Sequence, residues 1–583
     1  MSLQTALAHH QAGRLAEAVA IYQRILETSP DDVEALRWLG SAAGQTGDLS
    51  LAISLLSRAH ALAPDHVEVL LSLATMQRAA QAYEPALACY EQALALRPQS
   101  SVALYGKGTT LQRMGRAQEA MAALRLAVAL APDHAQAHLN LADLLRESGA
   151  DGATVETQYR HAIAAAPALA AAHYGLGIAL YQQDRLQEAR DSFAQAVASR
   201  QDFVPALYNL ALVSRRLRRP QEALAHYRRV LEIDPEHVDA RINLSGVLRE
   251  QGFDAEAREQ YDQAYRRKNL FAKFTPGARK TVLILFDAGT GNMNLTHLFD
   301  TRATNLIDWM IEYAPPGQQA QLPPYDLVFN AMGDPDVTTR GVTAPLARFI
   351  AHCTRPVLNP PDKVARTARH RLPGLLGDIA NLAIAPVQRY ADAQDWDEGL
   401  EARLPLLLRP IHTQGGEGME RMATPEDVLR QRQRQQGPVY VFPFIDYRSA
   451  DGCWRKYRVI FIDRQPYPYH LGISPDWMVH YYTADMGGHA WKLEEEKRFL
   501  RDPQAALGCA AMQTLREIGA RLDLDYAGID FSLLPDGRVL VFEANPTMLV
   551  HPEQADGPYA HKNAHVQRIL DAFEAMLARR VVS

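Results

Sequence analysis

The sequence predicts a multidomain protein in which an all-α solenoid is followed by a small α/β subdomain and then by an α+β domain. Three observations support this fold class. Alanine recurs at a fixed period through the first half, a β-rich apolar run begins at Thr281, and two apolar strands separated by a turn follow Asp525. The length of 583 residues corresponds to about four typical domains, which excludes one compact core.

The composition is that of an ordinary soluble protein, with 47% apolar and 22% charged residues. The formal net charge of -6 gives no reason to expect nucleic acid or an anionic membrane as a partner. The four cysteines show no C-x-x-C spacing, the first ten residues do not resemble a secretion signal, and no run of about 18 apolar residues occurs. We therefore expect a cytoplasmic protein without nucleic acid or membrane partners.

The first half of the chain repeats with a period of 34 residues. Alanine recurs at that interval, with one step of 69, at Ala18, Ala52, Ala86, Ala120, Ala189, Ala223 and Ala257. An aromatic residue or leucine follows four positions later, at Tyr22, Leu56, Tyr90, Leu124, Phe193, Tyr227 and Tyr261, with Tyr159 in the fifth repeat. Pro132 and Pro167 are 35 residues apart, which places a single inserted residue within residues 149–159.

This pattern predicts a series of helical hairpins. A small alanine lets two helices approach, the residue one turn later fills the gap, and proline ends the second helix. Gly40, Gly108 and Gly177 add a small residue to the first helix. Further glycines predict the turn between the helices, at Gly13, Gly47, Gly115, Gly149 and Gly252. The array resembles tetratricopeptide (TPR) repeats, with eight units over residues 1–269.

The resemblance to TPR arrays implies a groove that holds a peptide or protein. Asn140, Asn209 and Asn243 share one repeat position on the first helix, which is the concave lining in such arrays, and asparagine can bond an extended backbone. The alternatives are that these residues only stabilise helix packing and that the array is a structural spacer. The basic run at residues 215–219 fits a solvated helix end better than a site for an acidic partner.

The repeat frame ends after Tyr265, and residues 270–280 are predicted to be a linker. Strand-like runs at 281–286, 326–330 and 356–359, separated by patterns such as the helix-like one at 303–313, predict a parallel α/β subdomain over residues 281–360. Residues 287–294 partly match a dinucleotide-binding loop, but Asn294 replaces its third glycine, so a tight turn is preferred.

A glycine-rich loop follows the strand Leu404–Pro410. Backbone N–H groups near Gly415, Gly416 and Gly418 are suited to approach phosphate oxygens, and Arg409 supplies positive charge beside them. A plain hairpin connection would give the same pattern.

The strongest indication of chemistry lies in residues 525–546, which predict a β-hairpin around the turn at Asp536 and Gly537. Asp530 on the first strand and Glu543 with Asn545 on the second converge at one end. Glu543 and Asn545 are two residues apart and share one face of their strand. Three oxygen ligands suit Mg²⁺, although a solvated acidic face would show similar residues.

With these residues in view, the second half resembles an ATP-grasp ligase, with a preceding subdomain at 281–360 and the catalytic domain at 361–583. Residues 359–363 resemble the segment that opens that domain, and residues 439–445 resemble the hinge strand that holds adenine, through Phe442, Phe444 and Ile445. Residues 454–463 resemble the next strand, whose Lys456 and Arg458 reach phosphates. Arginine at 409 instead of lysine, and Phe442 with Pro443 instead of an acidic or amide residue, depart from the family pattern.

The resemblance implies an enzyme that uses ATP and Mg²⁺ to phosphorylate a carboxylate, which an amine, hydroxyl or thiol then attacks. Arg409, Lys456 and Arg458 would contact phosphates, while Asp530, Glu543 and Asn545 would hold the metal. The preferred function is a ligase whose repeats recruit a peptide or protein substrate. A small-molecule ligase with the repeats as an assembly scaffold, and a non-catalytic scaffold with a degenerate nucleotide site, are the alternatives. His470, His480 and His489 are expected to be ordinary strand or loop histidines.

Overall fold

The computed structural model describes residues 2–287, 297–333, 340–411, 418–481 and 483–582. The chain forms two compact units, Met1–Tyr261 and Asp262–Ser583. No helix within the described ranges is both long enough and apolar enough to cross a membrane.

The first unit is built from helical hairpins, and the second unit begins within the last of their helices. The helices are α1 (Leu3–Gln11), α2 (Leu15–Thr28), α3 (Val33–Gln45), α4 (Leu49–Leu62), α5 (Val67–Ala79), α6 (Tyr83–Leu96), α7 (Ser101–Arg113), α8 (Ala117–Leu130), α9 (Ala135–Glu147), α10 (Gly152–Ala165), α11 (Ala170–Gln182), α12 (Leu186–Ser199), α13 (Val204–Arg216), α14 (Pro220–Ile233), α15 (Val238–Glu250) and α16 (Asp254–Arg267). Odd-numbered helices are the first, and even-numbered helices the second, of each hairpin.

Every hairpin turns through one residue in the left-handed region. Five of these residues are the predicted glycines, such as Gly47 at φ +91°, and the other three are Gln81, Asp184 and Arg218. The turn residues are 34 apart except between Gly149 and Asp184, where the interval is 35. The inserted residue therefore follows Gly149, which confirms the prediction.

The small residues of the repeats let the helices approach, as predicted. Ala52, Ala120 and Ala189 are fully buried. A Cβ on Gly40 would lie 2.8 Å from Leu56 Cγ, and one on Gly108 would lie 2.7 Å from Leu124 Cγ. Contacts below 3.0 Å do not occur for real Cβ atoms, so these positions of the first helix accept only glycine without a shift of the second helix.

The described residues of the second unit form three sheets. Its strands are β1 (Leu270–Lys273), β2 (Lys280–Phe286), β3 (Thr304–Met310), β4 (Leu327–Asn330), β5 (Val357–Leu358), β6 (Leu382–Ile384), β7 (Gln388–Tyr390), β8 (Leu406–Pro410), β9 (Glu420–Met422), β10 (Val439–Pro443), β11 (Trp454–Ile462), β12 (Gln465–Ser474), β13 (Tyr526–Leu533) and β14 (Val539–Asn545). Its further helices are α17 (Arg340–His352), α18 (Pro361–Val364), α19 (Leu372–Leu376), α20 (Pro425–Arg434), α21 (Ala490–Arg501), α22 (Pro503–Leu507), α23 (Cys509–Leu522) and α24 (Asn563–Val582).

The first sheet has the order β1-β3-β2-β4-β5, with β1 antiparallel to β3 and the other pairs parallel. Two expectations are corrected here. Residues 270–273, predicted to be part of a linker, form β1. The prediction of a helix at 303–313 is wrong, because this segment contains β3. Leu306 and Ile307 belong to different apolar clusters, so β3 is buried on both faces and lacks the alternation that identifies a half-buried strand. Residues 288–294 of the dinucleotide-like loop lie outside the described residues.

The second sheet, β7-β10-β8-β9, is antiparallel. The third has the order β12-β11-β13-β14-β6, in which only β6 pairs in parallel, with β14, among the described strands. The predicted hairpin of β13 and β14 is present and places Asp530 opposite Glu543. The fully buried Asn359 side chain donates to the Tyr526 carbonyl oxygen at 2.7 Å, so the segment after β5 is attached to the start of β13.

Candidate functional site

A cavity of about 330 Å³ in the second unit is lined by residues of the second and third sheets. The second sheet contributes residues of β8 and β10, and the third contributes residues of β6, β11, β13 and β14. Nine residues predicted to bind nucleotide or metal line it together: Arg409, Phe442, Phe444, Ile445, Lys456, Arg458, Asp530, Glu543 and Asn545. The structure thus brings them to one place, and their roles in binding stay predictions.

Of the three glycines of the predicted phosphate loop, the structure describes Gly418. Gly415 and Gly416 lie outside the described residues. Gly418 is described, but it is not among the residues that line the cavity. A Cβ at Gly418 would meet Pro410 Cγ at 3.1 Å, so this glycine packs on the end of β8.

Strand alternation explains how the charged side chains reach the cavity. Lys456 and Arg458 are two residues apart on β11 and line the cavity together. The residue between them, Tyr457, is buried in the apolar core on the opposite face of the sheet. Glu543 and Asn545 share one face of β14 for the same reason.

Asp530 is buried and paired with two cations. Arg458 Nε and Nη2 donate to its two carboxylate oxygens at 2.6 and 2.9 Å, and Lys456 Nζ lies 3.3 Å from Oδ2. Burial alone would raise the pKa of Asp530, but the charges of Arg458 and Lys456 outweigh burial and hold this pKa below its ordinary value. The carboxylate is therefore ionised at neutral pH.

Glu543 is ionised for the same reason, through different arginines. It pairs with Arg369 and lies 3.6 Å from Arg409 Nη1. Burial raises the pKa of Glu543, but these cations, Arg369 above all, lower it below the ordinary value. Arg369 was missed by the sequence analysis because it lies in the segment between β5 and α19, and no spacing in the sequence connects it to β14.

Asn545 is held by its own turn. Its Oδ1 accepts hydrogen bonds from Thr547 N and Thr547 Oγ1, both at 2.7 Å. These two bonds use both lone pairs of the amide oxygen, so Asn545 would have to release one of them to coordinate a metal. Asn545 thus lines the cavity together with the two carboxylates, and its role as a metal ligand stays a prediction.

Part of the cavity lining is aromatic. The ring centroids of Phe444 and Trp477 are 5.8 Å apart, and those of Tyr447 and Phe542 are 4.9 Å apart. Tyr447 Oη donates to the Trp477 carbonyl oxygen at 3.0 Å, which fixes this wall. Tyr447 and Trp477 belong to no motif recognised in the sequence, although the density of aromatic residues in residues 440–480 is a usable signal.

The charge balance of the cavity favours an anion. Among the residues that the structure describes, its lining contains four cations and two carboxylates: Arg369, Arg409, Lys456, Arg458, Asp530 and Glu543. His480, expected to be an ordinary histidine, also lines it, and burial together with Lys456 lowers the pKa of its imidazole. The excess of two positive charges suits a phosphate-bearing ligand, and most of the remaining lining is apolar.

The two carboxylates fit Mg²⁺ as part of a ligand shell. Within the described residues, no three side chains of His, Cys, Asp or Glu converge in a way that would hold a metal by themselves. Mg²⁺ is usually held by one or two carboxylates together with phosphate oxygens and water, so Asp530 and Glu543 are sufficient once a phosphate ligand is present.

The three asparagines of the predicted groove lie between neighbouring first helices. Asn243 Nδ2 donates to Tyr208 Oη at 2.7 Å, and Asn209 Nδ2 donates to Tyr174 Oη at 3.3 Å. Asn140 hydrogen bonds with Tyr105 and partly offsets the burial that raises the pKa of this tyrosine. These contacts favour the alternative in which the asparagines stabilise the packing of helices. Within residues 2–261, the Oδ1 atoms of Asn209 and Asn243 accept no hydrogen bond.

The basic run at 215–219 is used in ion pairs with neighbouring residues of the array. Arg215 Nη2 lies 2.5 Å from Glu250, and Arg216 Nη2 lies 2.8 Å from Asp184. The preferred interpretation of this run as a helix end at the surface agrees with its half-exposed side chains.

Comparison with known proteins identifies the first half of the chain. Two family models described as tetratricopeptide repeat match it, one over residues 3–67, 39–101, 105–153 and 156–203 and the other over residues 203–269. Residues 3–269 form a tetratricopeptide repeat array. The human protein O-mannosyl-transferase TMTC3 is 30% identical over 121 residues, which are 21% of this chain and only 13% of that protein.

Two solved structures align with parts of the chain. YrrB, described as a TPR protein with an unusual peptide-binding site, is 18% identical with a TM-score of 0.28, over 32% of this chain and 96% of that one. PilF of Pseudomonas aeruginosa is 18% identical with a TM-score of 0.33, over 38% of this chain and 97% of that one. TPR repeats indicate a scaffold for interaction with other proteins.

Proposed function

We propose that this protein is an ADP-forming ATP-grasp ligase that joins a carboxylate to an amine, hydroxyl or thiol and that recruits a peptide or protein substrate through its TPR array. The observation that carries the proposal is the cavity of the second unit. Among the described residues, four cations and two ionised carboxylates line it together with an aromatic wall, and all of these charged residues except Arg369 come from strands of two different sheets.

Each part of MgATP has a matching part of this cavity. The purine would lie against the apolar side formed by Phe442, Phe444 and Ile445. The phosphates would take the place of Asp530 and Glu543 as partners of Arg409, Lys456 and Arg458. Mg²⁺ held by the two carboxylates would neutralise charge on the phosphoryl group. The net charge of MgATP is about -2, which the excess positive charge of the cavity offsets.

The proposed reaction has two steps. A substrate carboxylate oxygen forms a bond to the γ-phosphorus while the bond to the β-phosphate oxygen breaks, which gives an acyl phosphate and ADP. The nucleophile then attacks the acyl carbon, loses a proton, and expels phosphate to leave an amide, ester or thioester. The arginines and Lys456 hold the charge of the transferring group in place, which is the electrostatic part of catalysis.

The experiment that tests the proposal is an ADP-release assay of the full-length protein with Mg-ATP and peptides fractionated from the native cell. Glu543→Gln removes one carboxylate at nearly constant volume and should lower ADP formation by about 100-fold or more. Arg448→Gln is the matched control, because Arg448 pairs with Asp446 at the surface with 57% of its side chain exposed. A product lighter by one water than its peptide would identify intramolecular condensation.

Binding and chemistry are separated by a second measurement. Arg409→Ala should weaken ATP binding by about 1.5–3 kcal/mol, measured by calorimetry, because a charge-assisted hydrogen bond is lost. Unchanged affinity would contradict the placement of ATP. ADP release with free amino acids but not with peptides would favour the small-molecule ligase, and ATP binding without turnover would favour the scaffold with a degenerate site.

The role of the array is tested with the same assay. The variant with Asn140→Ala, Asn209→Ala and Asn243→Ala should keep ATP affinity and the modification of a short peptide but lose the modification of a long one. Equal loss with both peptides would contradict recruitment by the array. We also expect a cytoplasmic location, in keeping with four free cysteines.

A further inference from the structure

Arginine recurs at one position near the end of the first helices. It is present as Arg78 on α5, Arg146 on α9, Arg215 on α13 and Arg249 on α15. The intervals of 68, 69 and 34 residues are those of the repeat frame, including the inserted residue. Because the repeats stack in order, these arginines form a row along the first helices, which we call the arginine row.

Two arginines of this row, Arg146 and Arg249, contact a tyrosine of the second helix. Arg146 Nε donates to Tyr159 Oη at 3.2 Å, and the Arg249 guanidinium lies 5.8 Å from the centroid of the Tyr261 ring. The four repeats that have arginine at this position of the first helix have tyrosine four residues after the recurring alanine position of the second helix. Three repeats have Leu56, Leu124 or Phe193 in place of that tyrosine, and they have Gly44, Gln112 and Tyr181, respectively, in place of the arginine. Tyr159 and Tyr261 therefore hold Arg146 and Arg249 in place.

The tyrosine contact leaves most of the Arg146 guanidinium available. A tyrosine hydroxyl uses one of the five N–H donors of an arginine. The side chains of Arg146 and Arg215 are 27% and 32% exposed. Arg78 and Arg249 form no ion pair with any residue of the array, residues 2–261, and Arg78 Nε is buried there without a hydrogen-bond partner.

The carboxylates near the row do not balance its charge. Glu250 pairs with Arg215 at 2.5 Å, and Glu147 lies 3.9 Å from Arg146. Asp143, which accepts a hydrogen bond from Tyr159 Oη at 2.6 Å, is a third carboxylate beside the row. Arg113, on α7 between Arg78 and Arg146, is exposed and adds a further unpaired cation within residues 2–261. The row therefore keeps excess positive charge at fixed intervals.

We propose that the arginine row binds an acidic peptide segment whose Asp and Glu side chains lie along an extended backbone. Guanidinium groups bind carboxylates through two parallel hydrogen bonds, and groups already held in place lose little entropy when they do so. The proposal rests on the proposed recruitment of a peptide by the array, and it names the class of that peptide. Acidic side chains are also the carboxylates that the proposed ligase would activate.

The test uses the full-length protein and fluorescently labelled peptides of about 20 residues, long enough to span several repeats when extended. In the first peptide glutamate alternates with serine, and in the second glutamine replaces glutamate. Titration by anisotropy should show binding of the glutamate peptide at least about tenfold tighter than the glutamine peptide, with weaker binding as salt is raised.

Variants locate the binding. Arg78→Gln with Arg249→Gln should weaken binding of the glutamate peptide by about tenfold or more, whereas Arg78→Lys with Arg249→Lys should retain most of it because the charges remain. The matched control is Arg125→Gln with Arg229→Gln, which removes two exposed arginines of second helices and should leave binding unchanged. Thermal unfolding of each variant separates lost binding from lost folding.

The outcomes distinguish this inference from the proposed function. Equal binding of the two peptides would overturn the acidic preference but leave peptide recruitment in place. Loss of binding in the control variant as well would show that charge anywhere on the array suffices, and would overturn the arginine row. Binding of neither peptide would overturn both the row and peptide recruitment, while the ATP affinity measured by calorimetry would still test the nucleotide site on its own.

Discussion

The two units of the chain bury different kinds of polar side chain. Within residues 2–261, no Asp, Glu, Lys or Arg is buried, and the buried polar residues are Ser100, Thr109, Thr110, His138, Ser192, Ser214 and Ser245. The described residues of the second unit bury Asp287, Lys492, Glu496, Asp525, Asp530 and Lys562. A buried charge costs several kcal/mol of folding free energy unless it is well paired. Buried charges therefore mark positions where side chains are held in a specific paired geometry at a cost in stability.

Several of these buried charges are connected to the wall of the cavity. His470 lies opposite Arg458 in the pairing of β11 with β12, and its ring stacks on Tyr481 at 4.5 Å. Tyr481 Oη donates to the fully buried Glu496 at 3.0 Å. The array instead places its ion pairs at the surface between repeats, as in Arg216 with Asp184. Loss of a charge should therefore matter far more in the second unit than in the first.

The largest expected effect is that of Asp530→Ala on the second unit. The substitution leaves Arg458 without its carboxylate in a buried site, which should lower the free energy of unfolding of this unit by about 3–5 kcal/mol. Urea unfolding followed by tryptophan fluorescence reports on it, since Trp38 is the only tryptophan of the array and five others lie in the second unit.

The control for Asp530→Ala is Asp446→Ala. Asp446 also pairs with an arginine, but its side chain is 46% exposed, so the expected loss is at most about 1 kcal/mol. Similar losses in the two variants would contradict the comparison between buried and exposed pairs. A restored stability in Asp530→Ala with Arg458→Met would support it, because the uncompensated charge is then removed.

The array should be sensitive to volume instead of charge, and Gly106→Ala tests this. A Cβ at Gly106 would lie 2.3 Å from Tyr90 Cε1, so Tyr90, which is 2% exposed, would have to move. We expect a net loss of about 1–2 kcal/mol, since overpacking outweighs the higher helix propensity of alanine. Gly152→Ala is the control, because its Cβ would meet only the flexible side chain of Gln183. Circular dichroism at increasing temperature measures both.

The comparison also explains what the sequence could predict. The array was predictable because each repeat has the same small residues at the same positions. The alignment of all repeats therefore fixes the position of each one, and it also reveals the inserted residue after Gly149. The hairpin with Asp530 and Glu543 was predictable from its turn and alternation. Arg369 was not, because it meets Glu543 across 174 residues of sequence and no periodicity connects them. β3 was missed because burial on both faces removes its alternation.

A smaller effect is expected for Asn243→Ala. The variant removes the hydrogen bond from Asn243 Nδ2 to Tyr208 Oη, and the half-buried tyrosine can still bind water, so the loss should be about 0.5–1.5 kcal/mol. A double-mutant cycle with Tyr208→Phe isolates the pair. A coupling energy of zero would show that the asparagine does not join the repeats, and its role would then lie in binding alone.

The smallest expected effect is a gain in stability from Arg218→Gly. Arg218 is exposed and occupies a hairpin turn at φ +58°, where five other repeats have glycine. The left-handed conformation costs a non-glycine residue about 1–2 kcal/mol, and glycine loses about 0.5–1 kcal/mol more backbone entropy on folding, so a net gain of about 0.5 kcal/mol is expected. Gln81→Gly, at φ +62°, should give the same gain, and Gly115→Ala, at φ +75° with no atom within 4 Å of its added Cβ, should give the opposite change. Thermal unfolding of the three variants measures the sign. A loss of stability in both Arg218→Gly and Gln81→Gly would show that contacts of these two side chains stabilise the turn more than their left-handed backbone destabilises it. The turns of different repeats would then be stabilised in different ways.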